Sequence, residues 1–506
     1  MSLTSLVFFT AFIISLAVYY IVPKRMQWIL LLIYSVLFLA VSSSPVTLVY
    51  FAASVVVTTI CVRVIKNGKS KLALAMGIIL NIGILAVLKY HHFFITNANA
   101  ILGSLHIGTQ IPDFQAEPAA PIGISFYTMM IVAYLLDTYW GVTPAEMGLL
   151  RNALFIGYWP LLTSGPIVRH EQVKEELFAE HTLDPEEIAA GLQRMLWGVF
   201  KKIVISARLG VMVDAIYSDI NQYQGLYLIL AMGMFLLQLY TDFSGCMDII
   251  IGASQCYGIK LPENFNHPFC ARSVQEYWQR WHITLGLWLR DYVMYPILRT
   301  GWMRKLNSIL KKRFGRKAAS QITTYLGMLT VWLLIGLWHG GDWKYILGMG
   351  LWFYACIVLG ELLKPLFGRI IKLLRINTET AVWHLFQSCR VFALAAIGNV
   401  YFRLPSIKVA HEIFKRSVAV WNPWILFDGS LYQLGLSEKN CRLLVNCLVI
   451  AIIIEFIQQK ESARSVIRRQ NLVFRWGIWI MLITAIAVFG MYGPGYDVSG
   501  FIYQRF

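Results

Sequence analysis

Two of the ten histidines in this 506-residue chain lie deep in apolar, aromatic stretches. His339 lies in GLWHGG (336–341), and His282 ends YWQRWH (277–282). Burial among apolar groups keeps an imidazole neutral near pH 7, which is the form a general base requires. The glycines beside His339 leave space for a substrate to approach. The same pattern also fits a histidine that only hydrogen-bonds a helix end, so both interpretations stay open.

Charged and aromatic residues surround both histidines. Arg280, Arg290 and Asp291 lie near His282 in the sequence. They fit an interfacial ion-pair cluster at least as well as a site that binds a donor or orients a substrate. Outside the segment 261–266, we take five residues as candidate substrate-binding residues: Asp242, Trp278, Arg280, Arg290 and Trp338.

Several other polar residues interrupt apolar runs, and a carboxylate at such a depth needs a partner. The candidate partners are Arg280, Arg290 and Arg403. For Asp242, orientation of a catalytic histidine is the alternative, as a carboxylate does in a catalytic triad. For Asp137 we favour structural pairing between helices. The interrupting residues are Asp137, Gln238, Asp242, Asp248 and Asn399.

Other kinds of chemistry find little support. The sequence has no phosphate-binding loop, nucleophile elbow or His-Glu-x-x-His motif, which disfavours nucleotide hydrolysis and soluble-type serine hydrolysis. None of the eight cysteines forms a Cys-x-x-Cys pair, so we expect neither a disulfide framework nor a metal site. The net charge of +17 comes from basic residues in short segments between apolar runs. This is typical of membrane topology rather than nucleic-acid binding.

The composition indicates which elements position these residues. The chain is 58% hydrophobic and 14% charged, against about 25% charged residues in soluble domains. A membrane-spanning helix needs roughly 20 apolar residues, and about twelve such runs occur, so we predict an all-α polytopic membrane protein. The runs lie near 4–22, 27–42, 46–65, 72–89, 122–140, 190–208, 225–251, 321–338, 343–363, 380–400, 442–458 and 473–491.

Basic residues predict the orientation. They concentrate in predicted loops near 24–25, 63–71, 301–318, 364–375 and 464–469. With twelve crossings, these five segments fall on one side of the membrane, which the positive-inside rule makes the cytoplasmic side. We therefore predict a multi-pass protein of a bacterial plasma membrane with both termini outside the cytoplasm. The first apolar run has no basic residues before it and is read as a retained span.

Two apolar stretches, 150–168 and 277–298, do not fit the count. The first contains Trp159-Pro160 and Gly165-Pro166, and the second contains Arg280, His282 and Arg290. Irregular or charged backbone at membrane depth is tolerated only inside protein or beside a wet cavity. We predict re-entrant or interfacial helices for both stretches. Charged residues in such places are candidates for function.

A set of short motifs in order along the chain resembles the membrane-bound O-acyltransferase family, and within it the bacterial alginate O-acetylation branch. The motifs run from about residue 121 to the end. They are PIGISFY (121–127), SGPIVR (164–169), DFSG (242–245), LPENFN (261–266), the stretch from Trp278 to Tyr292, GLWHG (336–340), YFR (401–403) and FIY (501–503).

The resemblance implies one integral membrane acyltransferase domain over 1–506, with core motifs over 121–405 and helices around a central tunnel. It implies that His339 is catalytic, and the family's earlier histidine maps onto His282. The donor would be a cytoplasmic thioester such as acetyl-CoA, with no bound cofactor or metal. We expect Asn264 and Asn266 to hold the developing oxyanion or to shape the donor entrance. We expect the acceptor to be a hydroxyl of an extracellular polysaccharide or of a serine-esterase-like relay protein.

The sequence departs from the alginate branch at one point. That branch commonly has a second histidine soon after Trp-His-Gly, and here Trp352 stands in its place, which puts alginate itself in doubt as the acceptor. D-alanyl transfer to teichoic acid is the alternative within the family. A non-catalytic scaffold or a transporter of a polysaccharide export complex is the alternative outside it.

Overall fold

The regular structure is helical. A computed structural model describes residues 2–113, 120–459 and 461–492. Within those ranges the only strand-like pairing is a single bridge between Phe265 and Trp281. The FIY motif at 501–503 lies outside the described residues.

The α-helices of the first half, in chain order, are α1 Leu6–Ile21, α2 Gln27–Ser42, α3 Pro45–Gly68, α4 Lys71–Lys89, α5 His91–Ser104, α6 Ile124–Trp140, α7 Leu149–Gly157, α8 Trp159–Thr163, α9 His170–Phe178, α10 Pro185–Phe200, α11 Ala207–Ser218 and α12 Leu226–Cys256. Those of the second half are α13 Val274–Arg280, α14 Ile283–Leu289, α15 Tyr295–Leu298, α16 Gly301–Gly340, α17 Leu351–Leu362, α18 Lys364–Leu373, α19 Ala381–Arg403, α20 Ile407–Ala419, α21 Glu438–Gln458, α22 Ala463–Arg468 and α23 Leu472–Phe489. Short 3₁₀ turns cover Lys24–Met26, Pro268–Cys270, Pro423–Leu426 and Ser430–Gln433.

Nine helices in the described ranges are long and apolar enough to cross a membrane. They coincide with nine of the twelve predicted spans. The other three predictions fall on the shorter helices α1 and α6 and on the helical run that α10 and α11 form. The chain is therefore an all-helical, multi-pass membrane protein. The central tunnel stays a prediction.

In the described part of the chain, three wide turns of π-helix interrupt the α-helical pattern. They cover Lys201–Ser206, Arg290–Met294 and Lys344–Gly350. A π-helical turn accommodates an extra residue and often marks a functional site. The second lies shortly after His282 in the chain, and the third lies shortly after His339.

The structure corrects one predicted element and details two others. The basic segment 301–318, predicted as a loop, is helical, and α16 is broken only at Gly315, whose φ of 82° and ψ of 167° are not helical. The stretches 150–168 and 277–298 are short helices with breaks, as expected for segments that do not cross the membrane as one span. Side chains cap several helices in the usual way; Ser273, for example, accepts a hydrogen bond from the backbone of Glu276 at 3.1 Å.

The chain divides into two compact units. Unit 1 consists of Met1–Met195, Met247–Pro262 and Gly340–Asp342, and unit 2 consists of Leu196–Cys246, Glu263–His339 and Trp343–Phe506. In unit 1, α3 packs against α4, and both pack against α6. In unit 2, α19 packs against the π-helical turn 344–350 and against α13 and α17. The single acyltransferase domain over 1–506 stays a prediction.

Candidate active site

His282 lies at the break between α13 and α14 in unit 2. Its backbone is left-handed, with φ 47° and ψ 51°. Two backbone hydrogen bonds flank it, from Asn266 N to Arg280 O at 2.9 Å and from Ile283 N to Asn264 O at 3.0 Å. The loop that carries LPENFN is thus joined to the residues on both sides of His282. These two hydrogen bonds position the backbone of His282, and with it the imidazole, relative to the loop.

The carboxamide of Asn264 fixes the ring of His282. Asn264 is fully buried, and its Oδ1 accepts hydrogen bonds from Thr284 N at 3.1 Å and from Thr284 Oγ1 at 3.0 Å. The same oxygen lies 3.3 Å from Nδ1 of His282. Because a carboxamide oxygen only accepts, Nδ1 carries the proton. The lone pair of the neutral ring is therefore on Nε2, which is the nitrogen that can act as a base.

The surroundings of His282 keep it neutral. The side chain is 2% exposed, and burial lowers the pKa of its imidazole to about 3. The ring of Phe243 packs against it edge-on, with centroids 4.9 Å apart. The indole of Trp338 follows at 5.7 Å. A neutral ring with a fixed tautomer is thus present at physiological pH.

His339 lies in the last turn of α16 and is 4% exposed. Its ring is 4.8 Å from the indole of Trp338 and 4.7 Å from the ring of Phe402, measured between centroids. Trp338 therefore contacts both imidazoles. The structure thus brings together three sequence-predicted residues, His282, His339 and Trp338, in one aromatic cluster, with Asn264 behind His282.

The glycine beside this cluster has a different role from the one expected. A Cβ on Gly336 would lie 2.6 Å from both Ile346 Cα and Tyr345 O. The space at Gly336 is filled by backbone rather than left for a substrate. Gly336 therefore allows α16 to approach the π-helical turn that follows His339.

Asp242 has a partner that sequence reasoning did not name. It is buried and forms an ion pair with Lys202. The three arginines proposed as its partners form other ion pairs: Arg280 with Glu276, Arg290 with the adjacent Asp291, and Arg403 with Asp214. The group that holds Nδ1 of His282 is the carboxamide of Asn264.

The remaining predicted substrate-binding residues are half-buried or exposed. Trp278 is half-buried, and its ring packs 5.0 Å from Trp332 and 4.8 Å from Phe353. The side chains of Asn266 and Arg290 are exposed. Their substrate-binding roles, like the oxyanion contact predicted for the two asparagines, stay predictions. The carboxamide oxygen of Asn264 is already used, so such a contact would come from its amide nitrogen.

Several residues around the cluster were missed. Lys201 and Lys202 are both buried on the π-helical turn 201–206, and Lys201 donates to Ser244 Oγ at 2.9 Å. Two adjacent lysines inside a candidate span were a visible signal. No comparable signal marks Thr284 or Phe402, because a threonine and a phenylalanine are ordinary in such runs.

Two further histidines are also buried, although the sequence suggested only two in all. His91 is 8% exposed and His170 is 3% exposed.

Trp352, which replaces the second histidine of the alginate branch, donates from Nε1 to Leu394 O at 2.9 Å. Its indole therefore has a structural partner on α19. Among the described residues, no three His, Cys, Asp or Glu side chains form a group that could hold a metal ion.

These features define a class: a polytopic membrane protein whose candidate chemistry rests on two buried imidazoles that share one indole. Comparison with known proteins makes the class specific. Residues 142–392 match the membrane-bound O-acyltransferase family. The chain is 30% identical over 445 residues to the probable alginate O-acetylase AlgI of Pseudomonas aeruginosa, covering 87% of this chain and 77% of that protein.

Two other relatives match shorter parts of the chain. The peptidoglycan O-acetyltransferase of Helicobacter pylori is 30% identical over 307 residues, which cover 56% of this chain and 54% of that protein. The teichoic acid D-alanyltransferase of Bacillus subtilis is 31% identical over 231 residues, 45% of this chain and 55% of that protein. The chain belongs to the membrane-bound O-acyltransferase family, and its extended similarity is to the alginate O-acetylation branch. It is an O-acyltransferase.

Proposed function

We propose that this O-acyltransferase moves an acetyl group from a cytoplasmic thioester, acetyl-CoA, across the membrane to a hydroxyl of a cell-envelope polysaccharide or of a relay protein that carries a serine. The observation that supports it best is the packing of both His282 and His339 against the indole of Trp338. The relatives named for alginate and peptidoglycan O-acetylation support acetyl as the group and a glycan as the final acceptor.

His339 acts as the general base in this proposal. The acceptor hydroxyl gives its proton to the imidazole as its oxygen attacks the thioester carbonyl carbon. The C–S bond then breaks, an ester forms, and the proton passes to the departing thiolate. The reaction needs no oxidant, reductant or metal. Both rings are less than 5% exposed, so a channel or a local movement must admit the substrates.

His282 lies on the donor side in this proposal. Its proton on Nδ1 is held by Asn264, so Nε2 accepts a hydrogen bond rather than donates one. An acceptor at this place suits an N–H or O–H group of a bound substrate. Basic residues on the cytoplasmic side outside 301–314 and α18 suit the phosphates of coenzyme A.

D-alanyl transfer to teichoic acid is the second candidate function. The Bacillus subtilis relative favours it at 31% identity. The same base and the same proton path serve either acyl group, because both are transferred to a hydroxyl as esters.

A cell-surface assay tests the proposal. Wild type, His339→Ala and a control, His411→Ala, are expressed with the neighbouring genes, and alkali-labile acetate and D-alanine are measured on the envelope. His411 is an exposed histidine of the same unit. We expect His339→Ala to lose acetate and His411→Ala to retain it. Loss of D-alanine alone would favour the second candidate. Unchanged esters in His339→Ala would reject both enzymes in favour of a scaffold or transporter.

A further inference from the structure

A short amphipathic helix follows the span that comes after His339. In α18 four apolar residues recur at helical spacing, and the basic residues lie toward the opposite face. The four apolar side chains are exposed; Phe367 is 44% exposed and Leu373 is 81% exposed. The residues of the apolar face are Leu366, Phe367, Ile370 and Leu373, and those of the basic face are Lys364, Arg369 and Lys372.

The first part of α16 has the same character. Before the break at Gly315, it carries Trp302, Ile309 and Phe314 exposed at 59%, 54% and 54%. Seven basic residues lie between 301 and 317, with no acidic residue among them. Within the described part of the chain, none of the seven forms an ion pair with a carboxylate. A helix with exposed apolar residues and clustered basic residues is typical of one that lies in a membrane interface.

The topology of unit 2 places the two helices on the same side of the membrane. The apolar part of α16 crosses to His339, and the run of 344–362 crosses back. The segment before the first crossing and the segment after the second must therefore meet the same leaflet. The first segment, 301–317, carries seven basic residues, and the second, 364–375, carries four. Each basic residue near an anionic surface contributes about 1 kcal/mol of attraction.

We infer that the basic helix 301–314 and α18 form one binding surface for anionic phospholipid headgroups, on either side of the helix pair that carries His339. The ligand chemistry is a phosphate diester at the membrane surface. The exposed apolar residues enter the acyl region, while the arginines and lysines bind the phosphates. Lys364 takes part less than the others, because it already pairs with Glu361. Soluble phosphates would not use the apolar faces, which is why the lipid is favoured over coenzyme A.

The test compares lipid binding by the full-length protein and two variants. One variant, Lys311→Gln/Lys312→Gln/Arg313→Gln/Arg369→Gln/Lys372→Gln, removes five of the eight basic charges of the surface. The control, Lys408→Gln/Lys415→Gln, neutralises exposed lysines of α20, which follows the next crossing and faces the other leaflet. Each purified protein is exposed to mixed micelles of phosphatidylglycerol and phosphatidylcholine. The two lipids that remain bound are measured by mass spectrometry.

We expect wild type and control to retain phosphatidylglycerol preferentially, and the surface variant to lose at least about threefold of that preference. Equal preference in all three proteins would overturn the inference. A loss of preference only in the control would overturn it as well. If coenzyme A displaces phosphatidylglycerol from wild type, the surface belongs to the donor and the lipid assignment fails.

A second measurement does not depend on the folding of the variant. Wild type is placed in nanodiscs of pure phosphatidylcholine, or of phosphatidylcholine with phosphatidylglycerol, and its unfolding temperature is measured. We expect the anionic lipid to raise it, and high salt to abolish the difference because salt screens exposed charges. An unfolding temperature independent of headgroup charge would contradict the inference. Neither readout requires acyltransferase activity, so both can fail while the proposed function holds.

Discussion

Two buried histidines, one in each unit, are held in the same way among different neighbours. In unit 1, Nδ1 of His170 lies 3.2 Å from Thr143 Oγ1. That hydroxyl donates to Glu171, so it accepts from the ring. In unit 2, Asn264 does the same for His282. Burial lowers the pKa of both imidazoles, to about 4 for His170 and about 3 for His282.

The neighbours of the two rings differ. His170 stacks on Tyr134 with centroids 4.4 Å apart and meets Phe155 edge-on. His282 meets Trp338, which also contacts His339. A neutral ring with a fixed tautomer is therefore not enough to identify a catalytic histidine. The informative feature is a second imidazole that packs against the same indole.

The largest expected effect is on activity. We predict that His339→Ala and His282→Ala lower acyl transfer by about 10²–10⁴-fold, the usual contribution of a positioned proton-transfer group. His170→Gln should change the rate less than about threefold, because its ring contacts Tyr134, Phe155 and Thr143 rather than a second imidazole. The measurement is ester formation per folded protein, with size-exclusion chromatography as the folding check. An equal loss at His170 would end the distinction between the two sites.

The next effect is on stability and concerns the ion pairs of each unit. Lys202→Met removes the ion pair of the buried Asp242 carboxylate and should lower the free energy of unfolding by about 3–5 kcal/mol. Arg194→Met removes the partner of Asp248 in unit 1, where the two side chains are 9% and 16% exposed, and should cost less. Thermal unfolding in detergent measures both. Lys202→Met/Asp242→Leu should recover most of the loss, and failure to recover would contradict this account.

A smaller effect separates the two groups that hold the rings. Asn264→Ala should lower activity about 10–100-fold, because Nδ1 of His282 loses its acceptor and the tautomer is no longer fixed. Thr143→Val should leave activity unchanged and cost about 1 kcal/mol of stability. The pH profile of the rate checks the mechanism. Asn264→Asp should shift the profile toward higher pH, since a carboxylate stabilises the imidazolium. An unchanged profile would make Asn264 merely structural.

In the smallest effect the two histidines should behave alike. Both have a pKa below the ordinary 6.5, so the unfolded chain binds more protons below that pH. Their contribution to stability is full above pH 6.5 and is lost as pH falls toward 4 for His170 and 3 for His282. At pH 5 each buried neutral imidazole should lower the free energy of unfolding by about 2 kcal/mol relative to its value well above pH 6.5. In His170→Gln and in His282→Gln, the difference between the unfolding temperatures at pH 7.5 and pH 5 should be smaller than in wild type. An unchanged difference would argue against burial as the cause of the lowered pKa values.

Much of the fold was predictable, because long apolar runs leave few alternatives to membrane helices. The runs at 27–42 and 442–458, for example, became spans almost unchanged. The prediction of a loop at 301–318 was wrong, because dense basic charge does not prevent a helix from forming. Arginine and lysine are good helix formers, so the segment before Gly315 is helical.

The site was predictable in its residue types but not in its pairings. His282, His339 and Trp338 were chosen from motifs, and the structure places them together. The partner of Asp242 was missed because Lys202 is 40 residues away in the chain, and sequence spacing carries no information about such contacts. The role of Asn264 as an acceptor depends on Thr284 N, a backbone group that no motif displays.

The π-helical turn after His339 also affects how relatives should be aligned. An α-helix advances by about 100° per residue, so deleting one residue from 344–350 would rotate all of α17 by that angle if the helix stayed regular. If the wide turn relaxed to α-helix instead, the same deletion would leave α17 facing the same way. A one-residue gap at this place is therefore a change of local winding, and homologues that carry it can still present Phe353 in register.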